Sequence, residues 1–187
     1  MKENKREKIL VEAASLISQN GYAGTSFQEI ADHVGIHKST LFHYFRNKEE
    51  ILLQILERSI GDVYANFEKI ANNRALRPEE KLEQAIYNHL EMLVAYFDNV
   101  NVYLNEFRSL SKENQQVYLK KRKKYESDFK KIITEMKTVG YFERLDTKIV
   151  TFGILGMLNW VAKWFRKDGK KDIREVAHVY YQMVAKK

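Results

Sequence analysis

Apolar residues recur along this chain at helical intervals. Ile9, Leu10, Ala13, Leu16 and Ile17 stand at i, i+1, i+4, i+7 and i+8, one face of a helix that stops at the pair Asn20-Gly21. Ser26 and Glu29 then have the spacing of a capping box and open a short helix that buries Phe27, Ile30, Ala31 and Val34 and ends at Gly35. A turn through Gly35, Ile36 and His37 leads into a third helix, Lys38 to Phe45. Asn47, with Glu50 three positions on, caps a fourth and longer one. Downstream, Pro78 followed by Glu79 and Glu80 starts a helix to about Phe97. Val100 to Leu110 and Ser111 to Val139 read as a further helical pair, broken at Gly140. Asp146 caps an apolar helix through Phe165, Asp168-Gly169 ends it, and Asp172 with Glu175 opens a last helix to about Ala185. The pattern predicts an all-α protein of about nine helices, without internal repeats or a convincing strand.

Composition narrows the class. One proline and eight glycines in 187 residues are too few for a turn-rich β fold. No cysteine is present, which excludes disulfides, thiol catalysis and Cys-ligated zinc and suits a reducing cytoplasm, the expected location. Met1–Lys8 is charged and continues into an amphipathic segment, so no secretory leader is expected. Ile149–Ala162 is too short to span a bilayer and contains Asn159, so it reads as a buried helix and no membrane partner is expected. The formal charge is +7, but residues 1–62 hold eight Lys/Arg against nine Asp/Glu. The basic excess therefore lies downstream, and net charge does not locate a nucleic-acid surface.

Residues 26–45 carry the most specific signal. Two short helices across a tight glycine-containing turn make a helix-turn-helix, whose second helix can enter a DNA major groove. On that helix Leu41 and Phe45 should pack inward, leaving Lys38, Ser39, Phe42 and His43 on the other side. An exposed Phe42 has no use in a core but fits a groove. Lys38, Ser39, Thr40 and His43 are expected to read base edges, and Thr25, Ser26 and Lys48 to meet phosphates. Lys48 stands in the first turn of its helix, where the helix dipole disfavours a cation, and a phosphate would account for it. On that reading Lys48→Ala should weaken binding to all DNA alike and flatten its salt dependence.

The string ILVEAASLISQNGYAGTSFQEIADHVGIHKSTLFHYFRNKEEIL, from Ile9 onward, closely resembles the TetR family of bacterial transcriptional regulators. Gly21–Ser26, Glu29–Ala31, Val34-Gly35 and Thr40–Phe45 match in order and spacing, followed by Lys48–Glu50. The resemblance implies a homodimeric repressor. Its helix-turn-helix DNA-binding head would be residues 1–63, and residues 64–187 would form a helical domain for effector binding and dimerisation. It also marks Tyr44 among the DNA-binding positions. Two residues depart from the family pattern: Phe42 replaces a common tyrosine and its phosphate-contacting hydroxyl, and His37 replaces a small capping residue.

Within the larger domain, Phe97, Tyr103, Leu104, Phe107, Phe129, Phe152, Leu155 and Trp160 are candidate effector contacts. Arg108 and Asn159 add polar groups in apolar surroundings, although for any one apolar residue ordinary core packing is the preferred reading. Asn105–Leu110, the basic segment Lys120–Tyr125, and Gly153–Trp160 with Trp164–Gly169 resemble the FadR-like regulators of fatty-acid degradation. That resemblance implies long-chain acyl-CoA as effector, with no resident cofactor. The last two helices, Thr147–Phe165 and Ile173–Ala185, are the expected dimer interface, where Gly153 and Gly156 would allow close approach.

An enzyme is the contrasting class. His33 and His37 have i, i+4 spacing, but Gly35 interrupts any shared helix, so no metal site is expected; His43, His89 and His178 stand elsewhere. No nucleophile elbow, phosphate-binding glycine loop or carboxylate pair appears, so no catalytic residue is assigned. A multidrug-responsive repressor of an efflux gene, binding cationic dyes, is the other alternative; it would require buried acids, and carboxylates such as Glu106 are few in the apolar segments.

Overall fold

The computed structural model describes residues 2–185, with side chains from Lys5 onward. Among these residues there are nine α-helices and no strand. They are α1 (Lys2–Asn20), α2 (Phe27–Val34), α3 (Lys38–Phe42), α4 (Lys48–Ala71), α5 (Pro78–Ala95), α6 (Phe97–Glu106), α7 (Lys112–Thr138), α8 (Thr147–Trp164) and α9 (Ile173–Ala185). A 3-10 turn, Phe107–Ser109, follows α6. None of the helices is long and apolar enough to cross a membrane.

Capping chemistry sets the boundaries much as the sequence predicts. The Ser26 hydroxyl accepts from Glu29 N at 3.0 Å while Glu29 accepts from Ser26 N at 2.6 Å, closing the capping box of α2. Asn47 Oδ1 takes Glu50 N at 2.8 Å and Asp146 Oδ1 takes Ile149 N at 2.9 Å. Three boundaries differ from expectation. α3 stops at Phe42 rather than Phe45, yet Phe45 N still bonds Leu41 O at 3.0 Å, so the turn keeps the helical direction. The α5–α6 break falls at Tyr96 (φ −112°, ψ 39°), which lets α6 begin at Phe97 rather than Val100. α6 gives way to the 3-10 turn before Leu110 because the extended backbone of Leu110 places that side chain in the core.

The chain forms two compact units, Met1–Ile60 with Tyr96–Lys120, and Gly61–Ala95 with Lys121–Lys187. The segment Tyr96–Lys120 thus packs with the N-terminal helices rather than with its sequence neighbours. Helices α4 and α7 each continue from one unit into the other, and α4 carries Gly61 at the division, with open space where a Cβ would stand.

In the first unit the core is Ile9, Leu10, Ala13, Ala14 and Ile17 of α1, Ile30 and Ala31 of α2, Leu41 and Phe45, and Ile51, Leu52, Ile55 and Leu56 of α4. Val102, Leu110 and Tyr118 complete it. Asn99, fully buried on α6, donates to Ile55 O at 3.0 Å and so satisfies its amide. In the second unit α5 packs on α8 and α9, with Leu82, Ile86, Leu90, Phe129, Ile133, Leu158 and Val161 fully buried.

Candidate nucleic-acid interface and effector region

The recognition element is held by its inward residues. Leu41 and Phe45 are buried as the spacing predicts, while Lys38, Ser39, Phe42 and His43 face solvent and Thr40 and Tyr44 are half-buried. Gly35 takes the left-handed conformation (φ 72°), and this lets the chain reverse between α2 and α3. Phe42 is 52% exposed, its ring lying 4.6 Å from that of Phe27. The ring is thus a large apolar group open to water on the outward side of α3. His37 gives α3 no side-chain cap, as its departure from the family pattern suggests.

Arg6, which the sequence reading passed over, anchors this arrangement. Its guanidinium donates to Tyr44 O at 3.1 Å and Gln54 Oε1 at 3.1 Å, pairs with Glu50 at 3.5 Å, and lies over the Phe45 ring at 4.7 Å. The signal was available: Arg6 falls on the same helical stripe as Ile9, Leu10, Ala13 and Ile17, where a cation needs partners.

Two phosphate-contact expectations are corrected in their reasons. Thr25 is fully buried and its hydroxyl donates to Gly21 O at 2.9 Å, so that side chain faces inward. The Lys48 ammonium donates to Tyr22 O and Thr25 O, both at 2.7 Å, and sits 4.0 Å from the centre of the Tyr22 ring. Those carbonyls account for a cation in the first turn of α4 without a phosphate. Partial burial lowers the Lys48 pKa, opposed by Glu106 and Glu29. Ser26 remains exposed at the start of α2.

The effector candidates divide between the units. In the first, Phe97, Tyr103, Leu104 and Phe107 are half-buried and Arg108 is exposed. Tyr103, Leu104, Asn105, Phe107 and Arg108 line an open cleft of about 360 Å³. Glu49 accepts from Ser111 N at 2.8 Å and Asn114 Nδ2 at 2.6 Å, joining α4 to the start of α7; these donors hold its carboxyl below the usual range.

In the second unit Phe129 and Leu155 are buried and Asn159 is partly accessible. Phe152 and Trp160 are not interior residues. They lie on the outward face of α8 with Ile149 (73% exposed), Gly153, Gly156 and Trp164, Trp160 itself being 65% exposed. Both faces of α8 are apolar, so periodicity alone could not assign the inward side. On α9, Val179 and Met183 are also exposed. The interior also contains a pair missed from sequence. His89 Nδ1 lies 2.8 Å from the Tyr125 hydroxyl, and His89 also hydrogen-bonds Asn159. Burial pushes His89 down to about 4 against the Asn159 bond, and pushes the Tyr125 phenol up.

With this geometry in view, likeness to known proteins becomes decisive. Residues 9–55 match the family described as bacterial regulatory proteins, tetR family, and residues 75–187 match the tetracyclin repressor-like C-terminal domain. The chain belongs to the TetR family. Its relatives are transcriptional regulators, which answers the enzyme alternative. The HTH-type transcriptional repressor KstR2 of Mycobacterium tuberculosis is 25% identical, over 97% of this chain and 91% of the relative. The fatty acid metabolism regulator protein of Bacillus subtilis is 28% identical, over 92% and 89%. The crystal structure of AibR in complex with isovaleryl coenzyme A and operator DNA superposes with a TM-score of 0.86 at 26% identity, over 96% of this chain and 97% of that one. This TetR-family chain therefore has the fold and whole-length similarity of transcriptional repressors.

Proposed function

We propose that this repressor binds palindromic operator DNA as a homodimer and is released by long-chain acyl-CoA, controlling genes of fatty-acid metabolism. The carrying observation is the outward set Lys38, Ser39, Phe42 and His43, fixed from behind by Leu41 and Phe45 and braced by Arg6. Base reading falls to Lys38, Ser39, Thr40 and His43, with Phe42 meeting apolar base edges; Ser26 and Tyr44 lie where phosphates would set register. Residues 1–63 form the DNA-reading head, and residues 64–187 bind effector and partner.

The effector reading is supported by the fatty-acid regulator relative and by the acyl-CoA ligand of AibR. Phe129, Leu155 and Asn159 are proposed contacts in the second unit; the cleft at Tyr103, Leu104, Phe107 and Arg108, with neighbouring Phe97, is a proposed site in the first. The packing of α6 against α1 gives movement of α6 a direct path to the head. The effector shifts a population between DNA-competent and incompetent conformers, and only its differential affinity for the two counts, typically about 1–3 kcal/mol. The dimer forms through α8 and α9, whose outward Ile149, Phe152, Trp160, Val179 and Met183 are otherwise left to water.

The test is a gel shift of the ligand-free protein on genomic fragments, repeated with palmitoyl-CoA, free CoA and a cationic dye. Retention abolished by palmitoyl-CoA alone supports the reading. Retention abolished by the dye alone replaces it with the multidrug alternative.

A further inference from the structure

The outward side of the recognition element presents a ring that is backed by a second ring. Phe42, the last residue of α3, is 52% exposed, and its ring centre lies 4.6 Å from that of Phe27 with the planes inclined at 38°. Phe27 is the first residue of α2, where the Ser26–Glu29 capping box fixes the backbone around it. Its own ring is half-buried against the core of the first unit. Phe42 is thus supported from behind by an anchored aromatic ring and open in front. Lys38 and Ser39, one turn earlier on the same side, and His43 beside it are exposed polar neighbours.

A major groove offers such a ring very little to hold. Its base edges are hydrogen-bonding groups at every pair, and the single apolar group among them is the 5-methyl of thymine. The sugar-phosphate chain is anionic, and a phenyl ring has no hydroxyl to donate to it. Wedging between base steps belongs to proteins that bind the minor groove. Lys38, Ser39 and His43 can satisfy the hydrogen-bonding edges nearby, which leaves the thymine methyl as the partner that matches Phe42.

We infer that Phe42 packs on the 5-methyl of a thymine in each operator half-site, and that Phe27 holds the Phe42 ring in place for it. The two rings select thymine over cytosine, whose C5 carries only hydrogen. Phe42 is the contacting residue and Phe27 the positioning residue. The inference rests on the operator-binding reading and extends it by naming the base group recognised and the residue that stands behind the reader.

The experiment takes a genomic duplex that the ligand-free full-length protein retains and replaces its thymines by deoxyuridine, one symmetric pair at a time. Deoxyuridine keeps every hydrogen-bonding group and lacks only the 5-methyl. The expected result is a pair whose replacement weakens wild-type binding about fifteenfold, the square of the roughly fourfold that one buried methyl is worth in each half-site. For Phe42→Ala the same replacement should change Kd by less than twofold, and Phe42→Tyr, which keeps the ring, should restore the effect. Phe27→Leu, which fills the core without the ring contact, should narrow the ratio part-way. A purely structural role would weaken both duplexes alike and leave their ratio unchanged. If no pair changes wild-type Kd more than twofold, the inference falls and the operator-binding reading stands. A wild-type effect that persists in Phe42→Ala gives the methyl to another residue and overturns the assignment, and a full ratio in Phe27→Leu overturns the role of Phe27. If no duplex is retained, the operator-binding reading and the inference fall together. The wild-type comparison needs no variant to fold.

Discussion

Two carbonyl oxygens decide what Lys48 does. Because its ammonium is held by Tyr22 O and Thr25 O, Lys48→Ala should lower the stability of the head by about 1–2 kcal/mol, read as a lower urea midpoint. The salt slope of DNA binding should stay unchanged, contrary to what a phosphate contact requires. Phe42 gives the opposite result. Its ring is half open to water and touches Phe27, so Phe42→Ala should cost less than about 1 kcal/mol of stability yet weaken operator binding at least tenfold in a gel shift. The outward and inward sides of α3 were legible because Leu41 and Phe45 sit four apart beside polar neighbours. Lys48 and Arg6 were not, since their partners lie 23 to 48 positions away. Thr25 reads like a cap residue but spends its hydroxyl on the preceding turn.

At the level of elements, local chemistry was the readable part. Ser26–Glu29, Asn47–Glu50 and Asp146–Ile149 are contacts within three residues, and all three form. The cleft residues and the His89–Tyr125 pair required tertiary packing to become visible, and the two apolar faces of α8 concealed which way Phe152 and Trp160 point. These caps also govern acid stability. Bonds from Ser26 hold Glu29 below the usual carboxylate range, and the Ile149 amide does the same for Asp146. A carboxyl with a lowered folded pKa contributes fully above its unfolded value, about 4, and the contribution disappears as pH falls through the folded value. His89 acts earlier. Its folded value near 4 lies below its ordinary 6.5, so between those limits the unfolded chain binds the extra proton and stability falls with pH. Urea midpoints should therefore decline first between pH 6.5 and 4, and again below it; His89→Gln should flatten only the upper decline.

For the whole molecule, the exposed stripe on α8 makes a clear prediction about assembly. Trp160→Glu places a charge amid Ile149, Phe152 and Gly156 and should convert a dimer to a monomer in sedimentation, with operator binding lost although circular dichroism is unchanged. Assembly of two heads at one DNA turn is what the repressor reading needs, so a monomer that still binds operator tightly would contradict it.

Gly61 bears on how far α4 could be strengthened. A glycine inside a helix costs about 1 kcal/mol relative to alanine, and nothing crowds this one. Gly61→Ala should therefore raise the melting temperature by a few degrees, because the added methyl meets open space and the unfolded chain gives up less freedom on folding.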